Sequence, residues 1–260
     1  MKKILLVEGN LKEANQEFTE NGIKTHTESL QESISYYTNN LEIDSVNPSS
    51  DKDIFDKVKD LNKYEGLIWG GSSLNIYSDT KEIRKQIEFM KECQKRIKNI
   101  LAICWGMQVA VTAAGGVVNR GKNGAHRGIA HGIVINQDGL NHPIYKDKDK
   151  IFNTPAFNYD EVVTLPKNAI LLSSNKINNV MALNFETEFS KIWGIQYHPE
   201  ITYEKMITLI KFRRKRLLEN KSFLDEKDLE SHITMIENED KITKKESRMR
   251  ELKNWLDLIA

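Results

Sequence analysis

The sequence has few of the features that define secreted or membrane proteins. Its 260 residues include two cysteines, Cys93 and Cys104, which are too few for a disulfide framework. No apolar run approaches the roughly 20 residues needed to span a bilayer, and the apolar run in MKKILLVEGN is too short for a signal peptide. These absences predict a cytoplasmic protein that does not associate with membranes.

The sequence also lacks an excess of charge of either sign. It has 38 lysines and arginines against 37 acidic residues, so its net charge of +1 gives no global field that would attract nucleic acid. The basic run KFRRKR is interpreted as a solvated helix or a partner surface. With 39% hydrophobic residues, the chain is long enough for one large globular domain and an appendage.

Short apolar runs alternate with amphipathic segments over the first hundred residues. The predicted strands are KKILLVEG, LEIDSV, YEGLIWGG and NILAIC. The predicted helices are ESLQESISYYT, DIFDKVKDL and DTKEIRKQIEFMKECQKR, the last with Asp79 as its N-cap. This alternation predicts an α/β fold with a mostly parallel central sheet and helices on both of its faces.

The pattern changes after residue 117. Closely spaced apolar runs with turn signals between them predict an antiparallel strand extension of the sheet, and they read GIVIN, AILLSS, VMALNF and KIWGIQYH. From about residue 202, lysine, glutamate and leucine dominate, and apolar residues recur at near-helical spacing. We expect a main domain over residues 1–205 and a helical C-terminal extension over residues 206–260.

Polar motifs follow three of the apolar runs, and functional groups collect at the carboxyl ends of strands in open parallel sheets. The motifs are Gly70-Gly71-Ser72-Ser73, Cys104-Trp105-Gly106 and Tyr197-His198-Pro199-Glu200. A cysteine between a strand and a helix faces the positive end of the helix dipole, which favours the thiolate. In extended chain, His198 and Glu200 would point to the same side. Together with Cys104 they would form a catalytic triad.

These motifs resemble those of the class I glutamine amidotransferases in order and spacing. The resemblance rests on A-I-C-W-G-M-Q and G-I-Q-Y-H-P-E, preceded by W-G-G-S-S, and it covers roughly residues 1–205. It implies that Cys104 is the nucleophile. It implies further that His198 acts as general base and then general acid, and that Glu200 orients this histidine.

The resemblance also implies how the substrate is held. The backbone N–H groups of Gly71 and Trp105 would form the oxyanion hole, and the side chain of Gln108 would lie near the bound glutamine. No metal or organic cofactor is expected for this chemistry.

The sequence departs from the family pattern at three places. Ala102 stands where the family more often has glycine, which is a small change. Ser72-Ser73-Leu74-Asn75 replaces a common Gly-Gly-Pro ending, so that loop is expected to differ in shape. In NGAHRGIAHG, residues 125–127 replace a Gly-Arg-Glu segment whose glutamate contributes to the glutamine site. The last departure leaves the thiol chemistry intact and puts the identity of the amide substrate in doubt.

Three functions are compatible with these motifs. The first is a glutamine amidotransferase-type hydrolase that releases ammonia through a glutamyl thioester. The alternative is a gamma-glutamyl hydrolase acting on gamma-glutamyl amides, and a third is a noncatalytic binding or redox-sensing protein of the same fold. Such sensors typically lack the His-Pro-Glu motif, which argues against the third function.

The partners are inferred from what the chain lacks after residue 205. No ATP-grasp, pyrophosphatase loop or phosphate site is recognisable there, so the ammonia acceptor is expected to be a separate synthase subunit. The helical tail is expected to dock on the main domain and to leave part of its surface for that subunit or for a second copy of the chain. Its removal is expected to weaken stability or assembly and to spare the chemistry of Cys104.

Other motifs have structural interpretations. Cys93 lies in a charged helix without a partner motif and is expected to be structural. The segment GVVNRGKN nearly matches a P-loop, but Asn123 stands where Mg²⁺ binding requires serine or threonine. Three histidines have spacings that fit no metal-site pattern, namely His126, His131 and His142.

Overall fold

A computed structural model describes residues 1–259, apart from the side chains of residues 57 and 58. The α-helices are α1 (Lys12–Glu20), α2 (His26–Tyr37), α3 (Lys81–Gln94), α4 (Trp105–Ala113), α5 (Gln137–Leu140), α6 (Tyr203–Phe212), α7 (Arg214–Glu219), α8 (Glu226–Ile242), α9 (Lys245–Arg248) and α10 (Arg250–Ile259). The strands are β1 (Lys2–Val7), β2 (Leu41–Val46), β3 (Gly66–Trp69), β4 (Asn99–Ile103), β5 (Val117–Arg120), β6 (His126–Arg127), β7 (Ala130–Ile135), β8 (Ile151–Thr154), β9 (Phe157–Asn158), β10 (Asp160–Thr164), β11 (Ile170–Ser174), β12 (Ala182–Glu186) and β13 (Lys191–Ile195).

Nine strands form the central sheet, in the order β2-β1-β3-β4-β13-β12-β11-β7-β8. The first five of these are parallel, and the remaining four pair antiparallel. The predicted α/β class is confirmed, with one correction. The sequence pattern groups β13 with the antiparallel strands, whereas β13 lies parallel to β4. The carboxyl ends of these two neighbouring strands therefore lie at the same edge of the sheet.

The sheet is covered on both faces. Along β1, Ile4 and Leu6 belong to one core cluster, and Leu5 and Val7 belong to a second cluster on the other side. Side chains of a strand alternate between its two faces, so this division is expected for a strand that is buried on both. The buried sheet thus supports the residues that follow the carboxyl ends of its parallel strands.

Two predicted helices differ from the observed ones. Residues 53–61 form turns and part of a short 3-10 helix, Lys57–Lys63, instead of an α-helix. The N-cap of α3 is Thr80, whose hydroxyl accepts the N–H of Ile83, and the predicted cap Asp79 is wrong. Asp79 has a positive φ of 45°. Its carboxylate forms an ion pair with Arg84, a side chain in the first turn of α3.

The helices after residue 202 pack against the rest of the chain. α10 buries Leu252, Trp255 and Ile259 in the core cluster that also contains Cys104. A Cβ atom on Gly66 of β3 would lie 2.7 Å from the Trp255 ring, so α10 lies directly on the sheet. The boundary predicted at residue 205 falls inside α6, and the division into two units stays a prediction.

Polar contacts reinforce this packing. Glu251 of α10 accepts a hydrogen bond from the Tyr197 hydroxyl at 2.7 Å and forms a buried ion pair with Lys148 at 3.0 Å. A buried carboxylate is tolerated only when it is paired in this way. Within residues 1–259, no helix is long and apolar enough to cross a membrane.

Candidate active site

Cys104 occupies a strained turn between β4 and α4. Its φ of 53° and ψ of −104° are unusual for a residue other than glycine, and such backbone strain costs roughly 1–3 kcal/mol. The turn is held by a hydrogen bond of 2.7 Å from the Cys104 N–H to the carbonyl oxygen of Ile195. Gly106 is required two residues later, because a Cβ atom there would lie 2.3 Å from the Trp69 carbonyl oxygen. The thiol is thereby placed at the positive end of α4.

His198 and Glu200 follow β13, next to the end of β4. His198 Nδ1 lies 2.7 Å from Glu200 Oε1, and both side chains are buried. His198 lies between a bend at residues 196–197 and a turn at residues 199–200, so the expectation of extended chain is wrong from residue 199 on, although the side chains do meet. The His198 N–H donates to the Pro155 carbonyl oxygen at 2.8 Å, which fixes the turn against the antiparallel half of the sheet.

The environment of His198 favours its protonated form. Burial lowers the pKa of this imidazole, but the negative charges of Glu200 and of the Cys104 thiolate outweigh that effect and raise the pKa to about 10. The structure thus brings Cys104, His198 and Glu200 together in the arrangement of a thiol, a base and an orienting carboxylate.

Two glutamines lie beside the thiol. Gln196 Nε2 donates to Cys104 Sγ at 3.4 Å, and Gln196 Oε1 accepts from Gln108 Nε2 at 3.3 Å. Gln108 was predicted near the substrate, and it lines the cavity at Cys104. Gln196 was not singled out, although it stands in the G-I-Q-Y-H-P-E motif. A donor to sulfur would stabilise the thiolate.

Gly71 follows β3, and Trp105 follows Cys104 at the end of the neighbouring strand β4. A Cβ atom on Gly71 would lie 2.8 Å from His198 Cε1, so only glycine allows this loop to reach the imidazole. Trp105 is the first residue of α4, where a backbone N–H has no partner within the helix. Its indole donates to Gln86 at 2.7 Å. The role of the two N–H groups as an oxyanion hole stays a prediction.

His26 is a second buried histidine that the sequence did not indicate. Its ring stacks on that of His198 with centroids 5.5 Å apart. Burial lowers the pKa of His26 well below its usual value, and the nearby charge of Lys205 acts in the same direction. Lys205 itself bonds to Ser29 at 2.6 Å, and burial lowers its pKa to about 8. His26 is therefore neutral at pH 7.

Three side chains in this site lie close enough to one another to share a metal ion. Ligand atoms of His26, His198 and Glu200 lie within 4.8 Å of one another. The hydrogen bond between His198 and Glu200 already uses one atom of each, and the positive charge of Lys205 acts on Glu200 as well. The predicted absence of a resident metal stays a prediction.

A small cavity of about 60 Å³ opens beside Cys104. Besides Cys104, Trp105 and Gln108, its walls include the loop 72–75, residues 157–160, Arg213 and Arg216. The two arginines and Asp160 were not predicted as site residues. The two arginines belong to the run KFRRKR, which the sequence indicated only as a solvated helix or a partner surface.

The segment that departs from the family pattern supports this cavity. His126 bonds through Nδ1 to Asn158 Oδ1 at 2.8 Å, and burial lowers its pKa to about 4. Asn158 lines the cavity, so His126 acts on the site indirectly. His131 contacts the sulfur of Met235, and His142 packs on Trp193. The three histidines thus have separate partners.

Cys93 lies inside α3 and is fully buried. Burial raises the pKa of its thiol well above the usual value. Cys93 therefore has the environment of an inert core residue.

A family model for class I glutamine amidotransferases matches residues 22–214. The chain belongs to this family. It is 30% identical over 166 residues to gamma-glutamyl-L-1-hydroxyisopropylamide hydrolase of a Pseudomonas species, covering 63% of this chain and 56% of that enzyme. It is 28% identical over 169 residues to the glutamine-hydrolysing GMP synthase of Thermotoga maritima, covering 64% of this chain and 30% of the synthase.

The fold is shared with solved structures. A glutamine amidotransferase from Thermotoga maritima superposes with a TM-score of 0.67 at 17% identity, covering 99% of this chain and 97% of the other. The matched region spans little more than half of the Pseudomonas relative and less than a third of the synthase.

Proposed function

We propose that this protein is a cysteine-dependent hydrolase of gamma-glutamyl amides and that the side-chain amide of glutamine is its first candidate substrate. The observation that carries the proposal is the 2.7 Å hydrogen bond between His198 and Glu200 next to Cys104, whose negative charge acts on the His198 imidazole. A thiol at the start of a helix, next to an imidazole held by a carboxylate, has the parts needed for nucleophilic attack on an amide.

The reaction would proceed in two halves. In the resting pair the proton lies on His198, whose pKa is raised, and the Cys104 thiolate attacks the substrate's carboxamide carbon to give a tetrahedral intermediate. His198 then donates its proton to the leaving nitrogen, and ammonia departs as the glutamyl thioester forms. Water, deprotonated by His198, attacks the thioester and releases glutamate. The raised pKa of His198 suits the step in which it must act as an acid.

Charge on the carbonyl oxygen would be stabilised by the N–H groups of Gly71 and Trp105. Each preorganised donor of this kind contributes roughly 3–4 kcal/mol to the transition state. Gln196 would hold the sulfur in position through its hydrogen bond.

Hydrolysis of gamma-glutamyl amines is a second candidate. The similarity to the Pseudomonas hydrolase favours it, and so does His126 in the segment where the family often has a glutamate for glutamine. If glutamine is the substrate, we propose that the ammonia is consumed by a separate synthase subunit, since the Thermotoga relative is a glutamine-hydrolysing synthase.

The test compares L-glutamine with a gamma-glutamyl alkylamide and measures released glutamate. Cys104→Ala and His198→Ala should each lower kcat by roughly 10⁴-fold or more. Glu200→Gln should keep measurable activity, because only the orientation of His198 is lost. Equal and mild effects of all three changes would reject the triad. The ratio of kcat/KM for the two substrates separates the two candidate functions.

A further inference from the structure

Three buried side chains of the candidate active site bring together more polar atoms than their hydrogen bonds use. Ligand atoms of His26, His198 and Glu200 lie within 4.8 Å of one another. His198 Nδ1 is engaged with Glu200 Oε1, but among the described residues neither Glu200 Oε2 nor His26 Nδ1 has a hydrogen-bond partner. Glu200 is 3% exposed and His26 is 8% exposed, so bulk solvent does not satisfy either atom.

The two unpartnered atoms favour a bound cation. A neutral His26 with its proton on Nε2 presents a free lone pair at Nδ1, and Glu200 Oε2 is an acceptor as well. A buried acceptor without a donor has lost its hydration uncompensated, and a cation in contact with both atoms would offset that loss. Two imidazoles and one carboxylate are a usual ligand set for zinc at a site that keeps a fourth position open.

The geometry is within reach of zinc coordination. Ligand atoms on a tetrahedral zinc ion lie about 3.3 Å apart, so atoms within 4.8 Å of one another need side-chain shifts of only about 1 Å. The rings of His26 and His198 are already stacked, with centroids 5.5 Å apart and planes inclined by 21°. A Cβ atom on Gly71 would lie 2.6 Å from His26 Cε1 and 2.8 Å from His198 Cε1. Only glycine at this position lets both rings stand there.

We propose that His26, His198 and Glu200 bind zinc reversibly and that the bound ion inhibits the hydrolase. The inhibition rests on the proposed function, whereas the binding does not. Zinc would take the place of the proton between His198 Nδ1 and Glu200, and that proton would pass to solvent. The hydrogen bond by which Glu200 orients His198 would then be broken. Zinc is therefore an exchangeable inhibitor of this site and not a cofactor of the reaction.

Lys205 opposes this binding and so reports where the ion sits. Its ammonium donates to Ser29 Oγ at 2.6 Å, and its charge acts on both Glu200 and His26. Since this charge repels a second cation, Lys205→Met should tighten zinc binding by roughly 3- to 10-fold. The control is Lys211→Met, which removes an exposed cation from the same helix and should leave zinc affinity unchanged. Equal zinc affinity in Lys205→Met and the wild type would place the ion elsewhere.

The binding experiment uses the full chain with Cys104→Ser, so that the nucleophile cannot supply a ligand. Zinc titrated in competition with a colorimetric chelator should occupy one site per chain. Adding His26→Phe, which keeps a flat ring, or His26→Ala should weaken this site by at least roughly 10-fold, because loss of even an outer-shell partner costs about 10- to 100-fold. The control His131→Gln removes an exposed imidazole and should change nothing. Loss of the site in Cys104→Ser, or unchanged binding in both His26 variants, would overturn the proposal.

An inhibition experiment separates the zinc site from the proposed function. Zinc should slow the release of glutamate from L-glutamine by the wild-type protein, and EDTA should restore the rate. Whatever its basal rate, His26→Phe should need at least roughly 10-fold more zinc for the same fractional inhibition. If no amide is hydrolysed but zinc binding still depends on His26, the proposed function fails and the zinc site stands. If amides are hydrolysed but zinc binding does not depend on His26, the zinc site fails and the proposed function stands.

Discussion

Arg248 donates hydrogen bonds to the backbone carbonyl oxygens of Pro199 and Ile201, one on each side of Glu200. The carbonyl of Glu200 itself accepts from the Ser33 hydroxyl at 3.2 Å. Three consecutive carbonyl groups of the turn are thus held by side chains from two other elements. The C-terminal helices therefore support the turn that carries the candidate base and its carboxylate.

Replacing Arg248 should disturb the reaction more than substrate binding. Arg248→Met should lower kcat by roughly 10- to 100-fold with little change in KM, because a small displacement of His198 affects attack and proton transfer. Arg248→Lys should be intermediate, since lysine keeps the charge but lacks the planar fork. Steady-state kinetics and thermal melts of both variants test this.

The control for Arg248 is Lys253→Met, which removes a partly exposed cation that pairs with Asp257, a residue that also lies on α10. It should alter neither kinetic constant. A rise in KM at constant kcat in Arg248→Met would show that Arg248 acts on the substrate and not on the turn.

Trp255 should be the residue of the tail that matters most for stability. It is fully buried against β3, so Trp255→Ala should lower the free energy of unfolding by roughly 3–5 kcal/mol. Leu258→Ala, on the same helix but 45% exposed, should change it by less than about 0.5 kcal/mol. Chemical denaturation measures both. Similar small losses would mean that α10 is not part of the core.

This packing also changes the expectation for removal of the tail. The sequence suggested that the chemistry of Cys104 would be spared, but α10 and Cys104 share one core cluster. We expect activity to fall together with stability.

The two thiols should differ in reactivity. A glutamine analogue carrying an electrophile should label Cys104 and leave Cys93 untouched, because Cys93 is sealed in the core and burial raises its pKa. Intact mass and peptide mapping decide the site. Native Cys104→Ser protein should take up no label, and denatured wild-type protein treated with a general alkylating reagent should take up two. Labelling of Cys93 alone would contradict the assignment.

The raised pKa of His198 predicts how the pH dependence of kcat changes when Glu200 is replaced. Glu200 raises this pKa, so Glu200→Gln should lower it and move the alkaline limb of kcat toward neutral pH. The exposed Glu204→Gln is the control. In the wild type, the raised pKa stabilises the fold fully below the unfolded-state value of about 6.5, and this contribution is lost as pH rises through about 10. An unchanged limb in Glu200→Gln would show that another group titrates.

The sequence predicted those parts of the structure that depend on local patterns. The apolar runs before Cys104 and His198 are short and end in polar motifs, so their strands could be identified. Their carboxyl ends lie side by side because β13 is parallel to β4, which the sequence pattern did not predict. Arg213 and Arg248 could not be found in this way. Each lies in a lysine- and arginine-rich helical segment with an ordinary surface pattern, and each acquires its place only through contacts with residues distant in the chain. His26 was missed for the same reason.

The position of Arg248 in the chain has a consequence for protein synthesis. The ribosome completes the Cys104, His198 and Glu200 segments before it makes the helix that carries Arg248. At roughly 5 to 20 residues per second, the intervening segment takes several seconds to translate. During that time the nascent chain contains every residue of the triad but lacks the side chain that holds Pro199 and Ile201 in place. The turn that carries His198 and Glu200 therefore gains these two hydrogen bonds only after the C-terminal helices have been made.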